Sequence, residues 1–169
     1  MSKVELSHAA VLKILKTHPE MQAIGKNRAR IVLVRPKPAH RGEPDDRQLV
    51  VGVHDYDRNR PLIALVDAKA RKIVSVQPSP ASFQLSEEER KEAESLAAKD
   101  RRVRRFLGRR RMNPLTRLYF PRASGASPQN GRYAIVFLRP SANERHYAIV
   151  DLSARKVTEV LTRRGLTGR

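Results

Sequence analysis

The chain has 169 residues and carries 35 Lys and Arg against 17 Asp and Glu, a formal net charge of +18. It contains no cysteine, which excludes a disulfide framework, thiolate metal sites and a cysteine nucleophile. So positive a field draws polyanions (nucleic acid, anionic lipid or an acidic protein surface), but a GC-rich genome also enriches arginine and alanine, so charge alone names no partner.

Taken in order, residues 4–17 place Val4, Val11, Leu12 and Leu15 at helical spacing. Ala9, Ala10 and Ile14 widen that apolar face, and Pro19 stops the helix. After a turn at Gly25, residues 28–34 read as a strand ended by Pro36 and Pro38. Residues 36–47 read as a polar connection and 49–56 as the next strand. Residues 62–66 are an apolar run of strand length, 67–70 carry turn chemistry, and 71–76 alternate as a second strand. The same phrase returns near the C-terminus as residues 147–160. Val66-Asp67 matches Val150-Asp151, and Ala70-Arg71-Lys72 matches Ala154-Arg155-Lys156, both at an offset of 84.

Between the copies, the Pro and Ser residues of 78–82 mark a linker. Ser86 is a natural N-cap, Glu89 holds the capping-box position, and Leu85 is placed as a hydrophobic staple. A helix is expected from there to about Leu107, with Ala93, Leu96, Ala97, Val103 and Leu107 on one face and Gly108 as terminator. Residues 115–120 read as a strand, 123–131 as a loop and 133–138 as a strand, before the closing pair. The predicted division is a unit at 1–78, a linker at 79–84, a unit at 85–162 and a basic tail at 163–169. One helix followed by about four strands, written twice, is an α+β pattern.

His54-Asp55-Tyr56, residues 62–67 and Ala70-Arg71-Lys72-Ile73-Val74 together resemble the non-catalytic N-terminal domains of copper amine oxidases. The resemblance continues through residues 85–89 to Arg101-Arg102-Val103 and covers about the middle half of the chain. It implies two cystatin-like, PepSY-like repeats, each one helix packed on a curled antiparallel sheet of about four strands, in an accessory role. That family's quinone-forming tyrosine stands in an Asn-Tyr setting and its copper ligands include His-x-His. Here Tyr56, Tyr119, Tyr133 and Tyr147 all lack a preceding Asn, and His-x-His does not occur.

Seven of the eleven residues from 101 to 111 are arginine. Arg101, Arg104, Arg105, Arg109, Arg110 and Arg111 make a candidate phosphate-gripping patch, extended by Arg117, Arg122 and Arg132. The competing reading is electrostatic: Glu87, Glu88 and Glu89 open the helix and the arginines close it, as the macrodipole prefers. Tyr119, Phe120, Tyr133 and Phe137 stand among arginines on expected strands. Such residues either stack nucleobases or fill a core, and the core reading is the commoner one.

His8, His18, His40, His54 and His146 show no metal-ligand spacing. Strand alternation separates His54 from Asp55, and a surface role near a turn is expected for that histidine. No Gly-rich phosphate loop and no nucleophile elbow is present. These readings predict a non-catalytic protein with no cofactor that docks an anionic partner, either an acidic protein surface or a polyanion. Nucleic-acid binding through the arginine patch, and service as a separately encoded accessory subunit of an amine oxidase, are the alternatives. No signal-like segment and no run near the ~18 apolar residues of a membrane span occurs, so a cytoplasmic location is expected, with self-association left open.

Overall fold

The computed structural model describes residues 6–19, 21, 29–38, 44–121, 131–138 and 145–163. The chain divides into two compact units, Met1–Phe83 and Gln84–Arg169. The break falls one residue before the end of the expected linker. Phe83 belongs to the first unit by packing, since its ring lies 3.0 Å from where a Cβ on Gly52 would sit.

In the first unit, helix α1 (His8–Leu15) is capped by Ser7, whose hydroxyl accepts from the Ala10 amide at 3.2 Å. Its Val11, Ile14 and Leu15 are buried in one cluster with Ile31, Leu49, Val51, Val53, Leu62, Ala64 and Val66. Those strand residues lie on β1 (Ala29–Pro38), β2 (Pro44–Asp55) and β3 (Arg60–Asp67). With β4 (Lys72–Pro78) they form an antiparallel sheet in the order β1-β2-β3-β4. Along β3 every second residue is buried, the signature of a sheet with one face on a core. Fully burying a side chain such as Leu15 or Leu62 contributes about 1.5–3 kcal/mol, so the helix is held mainly by this face.

Two expectations need correction here. Pro36 does not end β1, which runs through it and ends at Pro38, and residues 44–47 are strand rather than connection. Because β1 is an edge strand, its prolines withhold no N–H that an outer neighbour needs. Register shifts at Ile31/Leu33 and Pro36/Lys37 let the backbones pair although side-chain burial alternates only from Ala29 to Ile31.

The second unit repeats the plan with one more helix: α2 (Glu87–Lys99), α3 (Arg101–Leu107), β5 (Leu115–Tyr119), β6 (Tyr133–Phe137), β7 (Arg145–Asp151) and β8 (Lys156–Arg163). Its antiparallel sheet has the order β5-β6-β7-β8, with α2 lying against all four strands and α3 against β8. Ala93 and Ala97 are fully buried, and such small residues let the helix backbone approach the sheet closely. The Thr116 hydroxyl donates to Glu94 at 2.7 Å and fastens α2 to β5.

The sequence repeat is a repeat of backbone geometry. The amides of Ala70 and Ala154 donate to Asp67 Oδ1 and Asp151 Oδ1 at 2.7 and 2.8 Å. Arg71 and Arg155 close those turns in the left-handed region at φ 51° and 53°. The register shifts at Leu65/Val66 in one unit and at Ile149/Val150 in the other. Just past each strand, Ala68 N–H donates to Arg47 O at 2.8 Å, and Leu152 N–H to Arg132 O at 2.9 Å. The architecture is α+β, with three helices and two four-stranded antiparallel sheets among the described residues. No helix among them is long and apolar enough to cross a membrane.

Candidate functional site

The arginine-rich segment is held by a short helix of its own, α3, and not by the end of α2. The single helix expected to reach Leu107 breaks at Asp100, whose backbone is extended at φ −64°, ψ 132°. Asp100 Oδ1 accepts from the amides of Arg102 at 2.8 Å and Val103 at 3.4 Å, which caps α3 anew. At the other end Gly108, at φ 58°, donates its amide to Arg104 O at 2.9 Å and closes the helix. Val103 and Leu107, four residues apart, are buried beneath it.

This break changes the electrostatics. Arg101 and Arg102 now stand at a helix N-terminus, where the macrodipole disfavours cations, so the dipole no longer accounts for them. Arg102 is held instead by its neighbours: its guanidinium pairs with Asp100 at 3.0 Å and donates to Val157 O on β8 at 2.9 Å. That guanidinium holds the Asp100 carboxyl below the ordinary carboxylate value, and Asp100 in turn raises Arg102.

Arg101, Arg104 and Arg105, at i, i+3 and i+4, share the face of α3 turned away from Val103 and Leu107, and all three are exposed. Arg109 and Arg111 continue the exposed row, which leads through residues 112–114 into β5, where Arg117 is also exposed. Among the described residues, none of these six guanidiniums is paired with a carboxylate. Arg110 differs. Its guanidinium lies 5.0 Å from the Phe106 ring and donates to Phe106 O at 3.1 Å, folding back on the end of α3.

Arg132 leaves the candidate patch. Only 3% exposed, it pairs through Nε with Glu89 Oε1 and through Nη2 with Glu89 Oε2 at 2.9 Å, and Nη2 also donates to Gln84 O at 3.0 Å. A buried guanidinium so committed cannot present itself to a partner. Arg122 lies outside the described residues, as do His40, the loop 123–130 and the tail from 164. The exposed arginines that remain of the candidate set are therefore Arg101, Arg104, Arg105, Arg109 and Arg111 on and after α3 and Arg117 on β5, with Arg110 folded back.

The aromatics separate into two kinds. Tyr133 is buried and pressed over Gly131, whose hypothetical Cβ would meet the ring at 2.7 Å. Burial raises the Tyr133 phenol, and the Asp151 carboxylate that accepts its hydrogen bond adds to the rise. Phe137 meets Tyr147 across the β6–β7 pair at 6.3 Å between ring centroids. Phe120, by contrast, stands 66% exposed immediately after β5.

His54 also corrects an expectation, for it is 5% exposed rather than a surface residue. It packs edge-on against Tyr56 at 4.9 Å. Asp55, on the other face of the strand, is buried too, and Oδ1 accepts from the amides of Asp57 at 3.0 Å and Arg58 at 3.2 Å to shape the turn into β3. His146 is buried with its ring 4.0 Å from Phe106, so it supports α3 from below. No group of three His, Asp or Glu residues among the described residues is placed to hold a metal ion.

Asp100 was the legible part that sequence reasoning passed over: an Asp followed by helix-forming residues is an N-cap signal. The Glu89–Arg132 pair, 43 residues apart, carries no local signal. Compared with known proteins, the chain matches no protein-family model and no curated protein sequence.

Proposed function

We propose that the protein is a non-catalytic docking protein, built of two modules of the kind found at the N-terminus of copper amine oxidases, that holds an anionic partner on the arginine surface of its second unit. The observation that carries this reading is the set of six exposed guanidiniums, from Arg101 to Arg117, without carboxylate partners among the described residues. Like charges at i, i+3 and i+4 destabilise a helix by about 0.2–0.5 kcal/mol per pair. Arg104 and Arg105 stand in the last turn of α3, where the macrodipole favours cations, but Arg101 stands in its first turn and adds that cost, so structure alone gives no reason to keep Arg101. The repeated helix-plus-meander plan supports the resemblance to the amine-oxidase modules, whose role is accessory.

Genome composition is a weaker explanation than the charge total suggests. Residues 1–99 hold nine lysines and nine arginines, whereas residues 100–155 hold thirteen arginines and no lysine. A genome-wide bias acts on both stretches alike. Arginine forks bind phosphate or carboxylate bidentately, which a lysine ammonium cannot do.

The test is a salt titration. Each phosphate neutralised on duplex DNA contributes a slope of about −0.9 in log K against log salt. Replacing Arg101, Arg104, Arg105, Arg109 and Arg111 with Gln keeps helix propensity while removing five positive charges. The expected result is a shallower slope and weakened binding at physiological ionic strength. An unchanged slope would reduce the charge to a solubility feature.

A further inference from the structure

We infer that the face of the second sheet turned away from its helices is an interface for a second copy of this chain, with Arg117 of each copy set against Glu159 of the other. The inference does not rest on the arginines of α3, which packs on the helix side of that sheet.

The register fixes which residues share the far face. Thr116 donates to Glu94 on α2, and Thr116, Val136 and Ala148 stand side by side across β5, β6 and β7, so they mark the helix side. His146, two residues before Ala148, points the same way and meets Phe106 of α3. The intervening residues form two rows that cross the far face from edge to edge. One runs Leu115, Phe137, Tyr147, Leu161, and the other Arg117, Ile135, Ile149, Glu159, each residue directly opposite the next. Leu115 is 40% exposed, Ile135, Phe137, Tyr147 and Leu161 are half-buried, and Ile149 at the centre is buried.

Only the ends of the second row are charged, with a cation on β5 and an anion on β8. Both are exposed, and neither is in an ion pair among the described residues. Three strand spacings, about 14 Å, keep them apart within one chain. Glu159 repels a polyanion or an acidic surface laid across the whole face. A copy of the same face fits it. A two-fold axis along the strands lays β5 over the partner's β8, so both charged ends pair at once, Leu115 meets Leu161 and Phe137 meets Tyr147. Stacked sheets pack in this way about 10 Å apart, with strands aligned to within about 30°.

The first unit lacks this arrangement. Its Arg35 lies opposite Val50 as Arg117 lies opposite Ile135, but Ser75 takes the place of Glu159, opposite Leu65. Gly52 takes the place of Phe137, and the ring of Phe83 from the same chain covers it. The face of the second sheet is small, four strands wide at about 4.8 Å each, and a net charge of +18 opposes self-association. The dimer therefore belongs with weak, concentration-dependent interfaces.

The test is sedimentation velocity of the full chain over about 1 to 500 μM protein at about 0.15 M salt. The wild type is expected to pass from monomer to dimer across that range. Arg117→Glu and Glu159→Arg should each weaken the dimer about tenfold, because the two-fold axis makes every change act twice. An equimolar mixture of the two variants should regain the dimer that each forms poorly alone, since mixing restores opposite charges at both edges. Repulsion between whole chains predicts the reverse for Arg117→Glu, which lowers the net charge and would then associate more readily. Leu115→Asp, which puts a charge into the apolar row, should stay monomeric throughout. All three side chains are exposed, so the core is not threatened, and thermal melts confirm folding. A wild type that is monomeric at every concentration overturns the inference. So does a dimer indifferent to these substitutions, or one that mixing fails to restore.

Discussion

The guanidinium of Arg132 and the carboxylate of Glu89 close a buried ion pair, Nη2 to Oε2 at 2.9 Å, that joins the residue before β6 to the first turn of α2. Glu89 serves a second purpose, accepting the Ser86 amide at 2.8 Å in the capping box. The first unit keeps the arginine, as Arg47, but has Ala10 three residues after its N-cap Ser7. This clamp therefore belongs to the second unit, where it anchors the element that leads to α3. Arg132→Ala leaves the fully buried Glu89 without its guanidinium, and losses of about 3–5 kcal/mol follow from such a stranded charge. Urea unfolding at neutral pH measures it. Replacing both residues with Met should cost clearly less than the two single losses added together, because the pair acts as one unit.

Asp100 makes the stability of α3 depend on pH. Its hydrogen bonds from Arg102 hold its pKa in the folded protein below the ordinary 3.8. A carboxylate depressed in this direction stabilises the fold at pH above its unfolded value and loses that contribution as pH falls through the folded value. Asp100→Asn keeps an N-cap acceptor but loses the charge. Its stability deficit against wild type, read by urea unfolding, should be present at pH 7 and shrink as pH falls below 3.8. Asp100→Ala removes the cap and should cost about 1 kcal/mol at neutral pH. A deficit in the Asn variant that does not change with pH would contradict the ion pair.

The two equivalent turns should answer differently to the same substitution. Arg71 and Arg155 both hold left-handed backbone, which costs a side-chain-bearing residue roughly 1 kcal/mol and glycine almost nothing. Arg71→Gly should therefore raise stability by about 0.5 kcal/mol once the extra freedom of the unfolded chain is deducted. Arg155, itself exposed, also pairs with the largely buried Glu92 at 2.7 Å, a contact worth about 1 kcal/mol, so Arg155→Gly should be close to neutral. Parallel thermal melts of both variants decide this, and a clear loss in Arg71→Gly would rule it out.

Gly108 closes α3 at φ 58°, with no heavy atom within 4 Å of where a Cβ would lie. The obstacle to Gly108→Ala is conformational, since space is open. The substitution should cost about 1–3 kcal/mol and Gly108→Asn about as much, because ψ −117° lies outside the left-handed helical region that Asn tolerates. Far-UV circular dichroism and urea unfolding of both variants provide the comparison.

Sequence alone determined the features that rest on near neighbours along the chain. The apolar runs at 62–66 and 147–150, the turns at Asp67 and Asp151, and the capping box from Ser86 to Glu89 all stand as read, because each is written within a few residues. The repeat at offset 84 announced two units of one plan. Only the tertiary structure decided which cations are available. Arg132 and the exposed arginines look alike in sequence, and a glutamate 43 residues away separates them. It alone decided that β1 runs through Pro36 before ending at Pro38, because edge position depends on strand order. It also decided that His54 and Tyr133 lie inside while Phe120 lies out in solvent. Local chemistry sets turns and caps, but burial and pairing are set by whatever the fold brings alongside, and a sequence does not print that neighbour beside the residue it covers.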